Sequence, residues 1–467
     1  MKLIDRLKTP RTVELAHHAR AVFSSAINGF PAKKLYVIGI TGTKGKTTTS
    51  HLVTAILEAG GQRVGRTSTV DFRIAGKTYP NNTNKTVLPP SQLQPILKEM
   101  VKQRCRYAVI ETSSHALEQY RVWGIPFKIA VFTNLTHDHL DYHGTFDNYR
   151  QSKLKLFRWP TLESAIINGE DAAAPHFADG TTAPEVIMFT ASQTLAKTKR
   201  RAQVVRAVNI SLNPGGSTFR LEHELGSVQV KLKLPGLFNI QNALAAASVG
   251  LALNMKLGTI KEGLESVAQV PGRMERIETK KGFSVIIDYA HTPDSIEQIL
   301  KTLRPIVRGK LISVFGCTGD RDRTKRPIMG AIAARYADLV YLTDEEPYTE
   351  DPQSIIDEIA EGVPRGRAAF VGKKKPSTDK NKKPEMVVHD IHKFLKRENQ
   401  GDGENEWWWR VLDRKEAITT AIDKAGFDDV IVVTGMGAQN YKIVGHAQVP
   451  WNERKIVEGI LKEKNLL

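Results

Sequence analysis

Ten consecutive residues, Gly39-Ile-Thr-Gly-Thr-Lys-Gly-Lys-Thr-Thr48, carry the clearest chemistry in the sequence. Their glycines let the backbone bend so that several N–H groups face one anion, and a helix opening there adds its positive end. Lys46 is then placed to reach β- and γ-phosphates, and the Thr47 hydroxyl to bind Mg²⁺. Gly42, Thr43, Lys44, Gly45 and Thr48 complete the expected cradle for ATP. The run departs from a strict G-x-x-x-x-G-K pattern, because Ile40 stands where the first glycine belongs. Glu111, in Tyr107-Ala-Val-Ile-Glu-Thr-Ser-Ser-His115, ends a second apolar run. A Mg²⁺-binding carboxylate sits at such a strand end, beside a phosphate loop. A third cluster, Thr133-Asn-Leu-Thr-His-Asp-His-Leu-Asp-Tyr-His143, offers histidines and aspartates. Zinc suits some of these residue types, but ATP and the many oxygen ligands favour magnesium.

These groups need elements to hold them. Residues 35–40 form a short apolar strand, 47–57 a helix stopped by Gly60-Gly61, and 107–110 and 129–132 further strands. Such alternation predicts an α/β fold: a mostly parallel sheet with helices on both faces. Residues 205–233 alternate polar and apolar positions, as an antiparallel meander does. A second α/β pattern begins near Met274, with strands at 284–287, 310–315, 339–342 and 429–433. The expected organisation has three parts. Residues 1–33 are a short basic helical segment, packed on the core. Residues 34–272 are a phosphate-loop central domain. Residues 273–467 are a Rossmann-like C-terminal domain with a solvated, lysine-rich insertion near 372–406.

In 467 residues, 67 Lys and Arg against 50 Asp and Glu leave a net charge of +17. That balance permits nucleic acid, an anionic membrane or small anionic substrates, and does not choose among them. Two cysteines, Cys105 and Cys317, exclude a disulfide framework and a Cys-rich zinc module. No apolar run approaches the roughly 18 residues of a membrane span. Charges scattered through the first residues are unlike a signal peptide. The expectation is a cytoplasmic monomer acting on small molecules, with no nucleic-acid partner and no membrane span.

Further motifs follow in order: Leu234-Pro-Gly-Leu-Phe-Asn-Ile-Gln-Asn242, Val270-Pro-Gly-Arg-Met-Glu-Arg276, Asp288-Tyr-Ala-His-Thr-Pro293, Phe315-Gly-Cys-Thr-Gly-Asp-Arg-Asp-Arg323 and Asp413-Arg-Lys-Glu-Ala-Ile418. Together with the first three they resemble the Mur ligase family, most closely its tripeptide-synthetase branch, from about residue 34 to the C-terminus. The resemblance implies an ATP-dependent amide ligase of peptidoglycan-precursor synthesis. The γ-phosphoryl passes to a carboxylate of a UDP-N-acetylmuramoyl peptide, and an amino acid's amine attacks the acyl phosphate. It implies catalytic roles for Lys46, Lys153 and His139. Glu111, His139 and a carbamylated Lys153 would bind a second Mg²⁺. Asn239 and Asn242 would lie by the adenine, and Arg273 and Asp288 would contact the nucleotide. Ser113 and Arg121 would hold the sugar-nucleotide substrate, and Arg321 and Arg323 would meet acidic groups.

The departures concern the substrate-reading ends. Only 33 residues precede the first strand where the family has a uridine-gripping domain, so weakened uridine recognition is expected. Thr86-Val-Leu-Pro89 replaces a Thr-Thr-Pro, and Gly435-Met-Gly-Ala-Gln439 replaces Gly-Lys-Gly-His-Glu. Glu345, Glu346 and Tyr348 fall in the amino-acid motif Asp-Asn-Pro-Arg, here Glu-Glu-Pro-Tyr. Loss of the forked guanidinium predicts poor use of meso-diaminopimelate and a preference for a cationic or neutral side chain, lysine first. Two readings compete with this one. One is a Mur-like ligase of another acid (a folate, a lipid-linked muropeptide or a poly-amino acid). The other is a nucleotide-binding scaffold without ligase activity, which the presence of Lys46, Glu111, His139 and Lys153 opposes.

Overall fold

The computed structural model describes residues 10–83, 85–136, 138–192, 194–364 and 407–467. The lysine-rich insertion at 372–406 and His137 lie outside the described residues. The chain divides into two compact units, Met1–Val270 and Pro271–Leu467.

In the first unit, α1 (Pro10–Ile27) leads through a single turn to β1 (Tyr36–Thr41), the phosphate loop and α2 (Lys46–Ala59). Strands β2 (Val64–Thr67), β3 (Asp71–Ile74) and β4 (Lys77–Pro80) precede α3 (Pro90–Lys102) and β5 (Tyr107–Glu111). Then come β6 (Phe127–Phe132), α4 (Phe146–Phe157), β7 (Ser164–Asn168), β8 (Glu185–Thr190), β9 (Gln203–Asn213), β10 (Gly216–His223), β11 (Gly226–Leu232) and α5 (Leu237–Ala252). The strands form one sheet in the order β11-β10-β9-β8-β7-β6-β1-β5-β2-β3-β4. Pairing is parallel from β9 to β2 and antiparallel beyond, so the expected meander is β9–β11.

Successive side chains of a strand point to opposite faces, so the central strands feed two cores. Val37, Ala108, Ile110 and Phe132 pack with Leu97 and Phe157 on one face. Ile38, Ile40, Val109 and Val131 pack with Leu52, Ile56 and Leu244 on the other. Burial on both faces explains why β1, β5 and β6 read as unbroken apolar runs. Helix α1 packs against α3, and its Ala21, Ser24 and Ser25 are buried while Leu15, Phe23 and Ile27 are exposed.

The second unit holds β12 (Glu275–Glu278), β13 (Ser284–Asp288), β14 (Leu311–Phe315), β15 (Leu339–Leu342), β16 (Trp408–Arg410) and β17 (Val430–Thr434) in the order β12-β13-β17-β14-β15-β16. Only the β12 pairing is antiparallel among them. A hairpin, β18 (Tyr441–Val444) and β19 (Ala447–Pro450), stands apart. Both units are thus doubly wound sheets, whose carboxyl strand ends are the usual place for ligands. Among the described residues no helix is long and apolar enough to cross a membrane.

Candidate active site

The phosphate loop bends where only glycine fits. Gly42 (φ 151°) and Gly45 (φ 83°) lie in the region that L side chains avoid. A Cβ on Gly42 would stand 1.9 Å from Thr133 Oγ1, and one on Gly45 2.3 Å from Asn242 Oδ1. The loop is pinned by the segment after β6. Thr43 N donates to Asn134 O (2.9 Å), Lys44 N to Asn134 Oδ1 (2.9 Å), and Thr133 Oγ1 to Lys44 O (2.6 Å). Gly45 caps α2 without a side chain, so the first-turn N–H groups point toward a prospective anion. Lys46 Nζ folds back over the loop onto Gly42 O and Thr43 O, both at 2.8 Å.

The register of β1 with β5 pairs Ile40 with Glu111, which brings that carboxylate to the loop. Glu111 is fully buried and accepts from Thr47 Oγ1 (3.2 Å), Thr69 Oγ1 (3.0 Å) and Thr69 N (3.1 Å). Two adjacent ligands of an octahedral ion with 2.0–2.1 Å bonds lie about 2.9 Å apart. The Thr47 and Glu111 oxygens, 3.2 Å apart, fit such a hard cation with little movement.

Lys153 projects from α4 and is 1% exposed. Its Nζ donates to Gly42 O at 2.9 Å and lies 4.4 Å from the centre of the Tyr149 ring. Burial, then repulsion from Lys46, holds its amine well below the ordinary lysine range, against a smaller pull from Asp138. The Tyr149 hydroxyl in turn bonds Thr43 Oγ1 at 3.2 Å. His139 adopts a left-handed backbone (φ 54°), donates its backbone N–H to Asp138 Oδ1 (2.9 Å), and sets its ring near His115 and Tyr149. Among the described residues no group of three or more His, Cys, Asp or Glu is gathered to hold a metal, and His137 of the histidine cluster lies outside them.

The other expected site residues are placed as follows. Asn239 and Asn242 are buried in α5. Asn242 accepts from Thr49 Oγ1 (3.3 Å) and donates to Asn239 Oδ1 (3.2 Å), so both brace the loop and α2. Ser113 caps the short helix Ser114–Glu118 through Ala116 N (3.2 Å). Arg121 donates to Val87 O (2.9 Å) and Gln119 Oε1 (2.5 Å), and partial burial lowers its pKa. The second unit holds the rest. Asp288 accepts from Met274 N (2.7 Å) and Ala290 N (2.8 Å), and the Arg273 guanidinium lies 4.7 Å from the Tyr289 ring centre. Glu345 and Glu346 follow β15 and are buried. Burial, then the Glu345 carboxylate, pushes Glu346 up to about 7. Burial also pushes Glu345 up, against Lys325 and Arg414. Tyr348 takes a left-handed backbone and bridges to Val444. Met436, where the family motif has lysine, is fully buried. Arg323 is exposed and pairs with Glu358 and Glu350.

Sequence reasoning missed Thr69, Asn134 and Tyr149. Asn134 opens the same cluster whose histidines drew attention, and an asparagine beside a sharp loop is a backbone-binding type. Thr69 carries no motif, and only the fold brings it to Glu111.

Two family models match the chain: the Mur ligase middle domain over residues 40–250, and the Mur ligase glutamate ligase domain over 272–437. The UDP-N-acetylmuramoyl-L-alanyl-D-glutamate–2,6-diaminopimelate ligase of Geobacillus thermodenitrificans (strain NG80-2) is 36% identical over 460 residues, covering 96% of this chain and 83% of that one. The chain belongs to the Mur ligase family. The UDP-N-acetylmuramyl-tripeptide synthetase of Roseiflexus sp. (strain RS-1) is another Mur ligase relative, 36% identical over 451 residues, covering 94% of this chain and 81% of that protein. A solved structure of a UDP-N-acetylmuramoyl-L-alanyl-D-glutamate–2,6-diaminopimelate ligase superposes with a TM-score of 0.62 at 30% identity, over 98% of this chain and 84% of that one. Folylpolyglutamate synthase of Mycobacterium tuberculosis, at 18% identity and a TM-score of 0.64 over 90% and 96% of the two chains, shares the Mur ligase fold.

Proposed function

We propose that this Mur ligase uses ATP to join an amino acid to the free carboxylate of a UDP-N-acetylmuramoyl peptide, through an acyl phosphate, in peptidoglycan-precursor synthesis in the cytoplasm. One observation carries the reading. The Thr47–Glu111 oxygen pair and the buried Lys153 amine meet the same glycine-bent loop. The loop N–H groups and Lys46 bind the β- and γ-phosphates of ATP and offset charge on the transferring oxygens. Thr47 and Glu111 would hold Mg²⁺, which when bound neutralises phosphate charge as a Lewis acid. Lys153, whose amine burial and Lys46 draw well below the ordinary lysine range, more readily presents an unprotonated, nucleophilic nitrogen. Its Nζ adds to CO₂, an N–C bond forms and a proton leaves. As a carbamate Lys153 would offer oxygen ligands, and with Glu111 and His139 it would hold a second Mg²⁺. Ser113 and Arg121 hold the muramoyl substrate. Asn239 and Asn242 frame the adenine, and Arg273 and Asp288 contact the nucleotide. Glu345, Glu346 and Tyr348 read the amino acid.

The test is ligation with mass detection. With ATP, Mg²⁺, UDP-N-acetylmuramoyl-L-alanyl-D-glutamate and a panel of amino acids, ADP, phosphate and one amide product should form in equal amounts. Consumption of a folate or a lipid-linked muropeptide, with the UDP-linked acid untouched, would move the activity to another acid.

A further inference from the structure

Two faces of α1 carry opposite residues. Glu14, His18, Ala21 and Ser25 recur every three or four positions, so they share one face, and that face is fastened to the protein. Tyr120 donates to Glu14 Oε1 at 2.8 Å, and the His18 ring lies 4.9 Å from Tyr120 and 5.3 Å from Trp123. Ala21 and Ser25 are each 1% exposed. Leu15, Ala19, Phe23, Ala26 and Ile27 recur at the same intervals on the other face and are all exposed. Leu15 and Phe23 are 68% exposed and Ile27 65%. Single exposed apolar residues need no explanation, whereas a stripe of them marks a surface that something covers. This stripe runs about 18 Å along the helix. The contacts of Glu14 and His18 hold it outward.

The neighbouring charges say what covers it. Arg20, three residues before Phe23, is exposed beside the stripe, and Lys33 and Lys34 are exposed in the turn at Pro31–Lys34. That turn packs on α3, as α1 does, and α3 exposes Lys98 and Lys102. The acids of these three elements are Glu14, which accepts from Tyr120, and Glu99, 3.8 Å from Lys102. Large apolar side chains among cations suit the boundary of an anionic bilayer, where the former enter the acyl region and the latter meet headgroup phosphates. A second copy suits the patch less. A two-fold contact would set the patch on itself, cation toward cation. A stable pair also draws about 20 residues or more from each partner.

We propose that α1 docks the protein on an anionic phospholipid surface. Leu15, Phe23 and Ile27 enter the boundary between headgroups and acyl chains, and Arg20, Lys33 and Lys34 meet lipid phosphates. The contact is peripheral and reversible, because one helix face and a few cations fall far short of a membrane span. It stands independently of the ligase reading.

Co-sedimentation of the full chain with two kinds of vesicle tests this: phosphatidylcholine alone, and phosphatidylcholine with phosphatidylglycerol in equal parts. The anionic vesicles should bind at least about ten-fold more tightly, as expected of two or more surface cations, and added salt should weaken them. The triple variant Leu15→Ser, Phe23→Ser, Ile27→Ser, at exposed positions only, should bind these vesicles at least about ten-fold less tightly. Leu225→Ser, at an equally exposed residue between β10 and β11, should bind as the parent does. Arg20→Glu with Lys33→Glu should erase the preference for anionic vesicles, and it tests the site without touching the stripe. No binding to anionic vesicles, equal binding to both kinds, or an unchanged charge variant would overturn the proposal. Unchanged binding by the triple variant would also overturn it, leaving only general attraction to a cationic chain. A mass that rises with concentration in sedimentation equilibrium, and does not in the triple variant, would give the stripe to a second copy instead.

Discussion

The phosphate loop of the first unit and the carboxylate pair of the second are built on opposite principles. At the loop every charged group is answered from within. Lys46 and Lys153 both rest on Gly42 O, and Glu111 takes three donors. The geometry there is set by backbone torsions at Gly42 and Gly45 that other residues cannot adopt. At Glu345 and Glu346 the backbone is ordinary, and side chains set the chemistry, with Glu345 Oε2 left over. A site made of backbone holds a ligand common to many reactions, here a phosphate chain. A site made of side chains can change its ligand by exchanging a few of them, as Tyr348 and Met436 suggest.

The sharpest way to break this contrast is at the loop. Lys46→Ala should lower ATP turnover by about 10²–10³-fold, the usual cost of removing a preorganised charge-stabilising donor. Because the Lys46 bonds to Gly42 O and Thr43 O are local to the loop, melting should stay within about 2 °C; near-normal phosphate release from this variant would discard the loop assignment. Lys153→Met comes next. Its amine titrates below the ordinary lysine range when folded, so the native state binds fewer protons than the unfolded one and stability rises with pH up to about 10.5. The buried amine thus costs stability at neutral pH. Methionine should abolish ligation and raise the melting temperature more at pH 7 than at pH 9. Short carboxylates such as acetate should partly restore turnover.

Glu346→Gln gives the smallest effect. Glu346 titrates near 7 in the fold, above an ordinary glutamate, so its contribution is present at acid pH and lost as pH rises through 7. The variant should therefore match the parent near pH 4.5 and melt about 2–4 °C higher at pH 8. Equal melting curves at both values would mean that the pair is better solvated than its burial implies.

The legibility of the molecule divides along the same line. The loop could be read from sequence because glycines and a lysine at fixed spacing state a backbone conformation. Glu111 could be read as a strand end, but its register against Ile40 and its bond to Thr69 belong to tertiary structure. Lys153 is an unremarkable helix lysine by type, and its burial beneath the loop, with Lys46 nearby, is what draws its amine below the ordinary lysine range. In α1 the small Ala21, Ser24 and Ser25 are buried while the larger Leu15, Phe23 and Ile27 are exposed, an inversion of size that helical spacing alone does not state.

The central claim is that the chain activates a carboxylate by phosphorylation. The most direct measurement uses UDP-N-acetylmuramoyl-L-alanyl-D-glutamate with both oxygens of each glutamate carboxylate replaced by ¹⁸O. The account predicts one ¹⁸O in each phosphate released per amide formed. Unlabelled phosphate beside a labelled amide would contradict it.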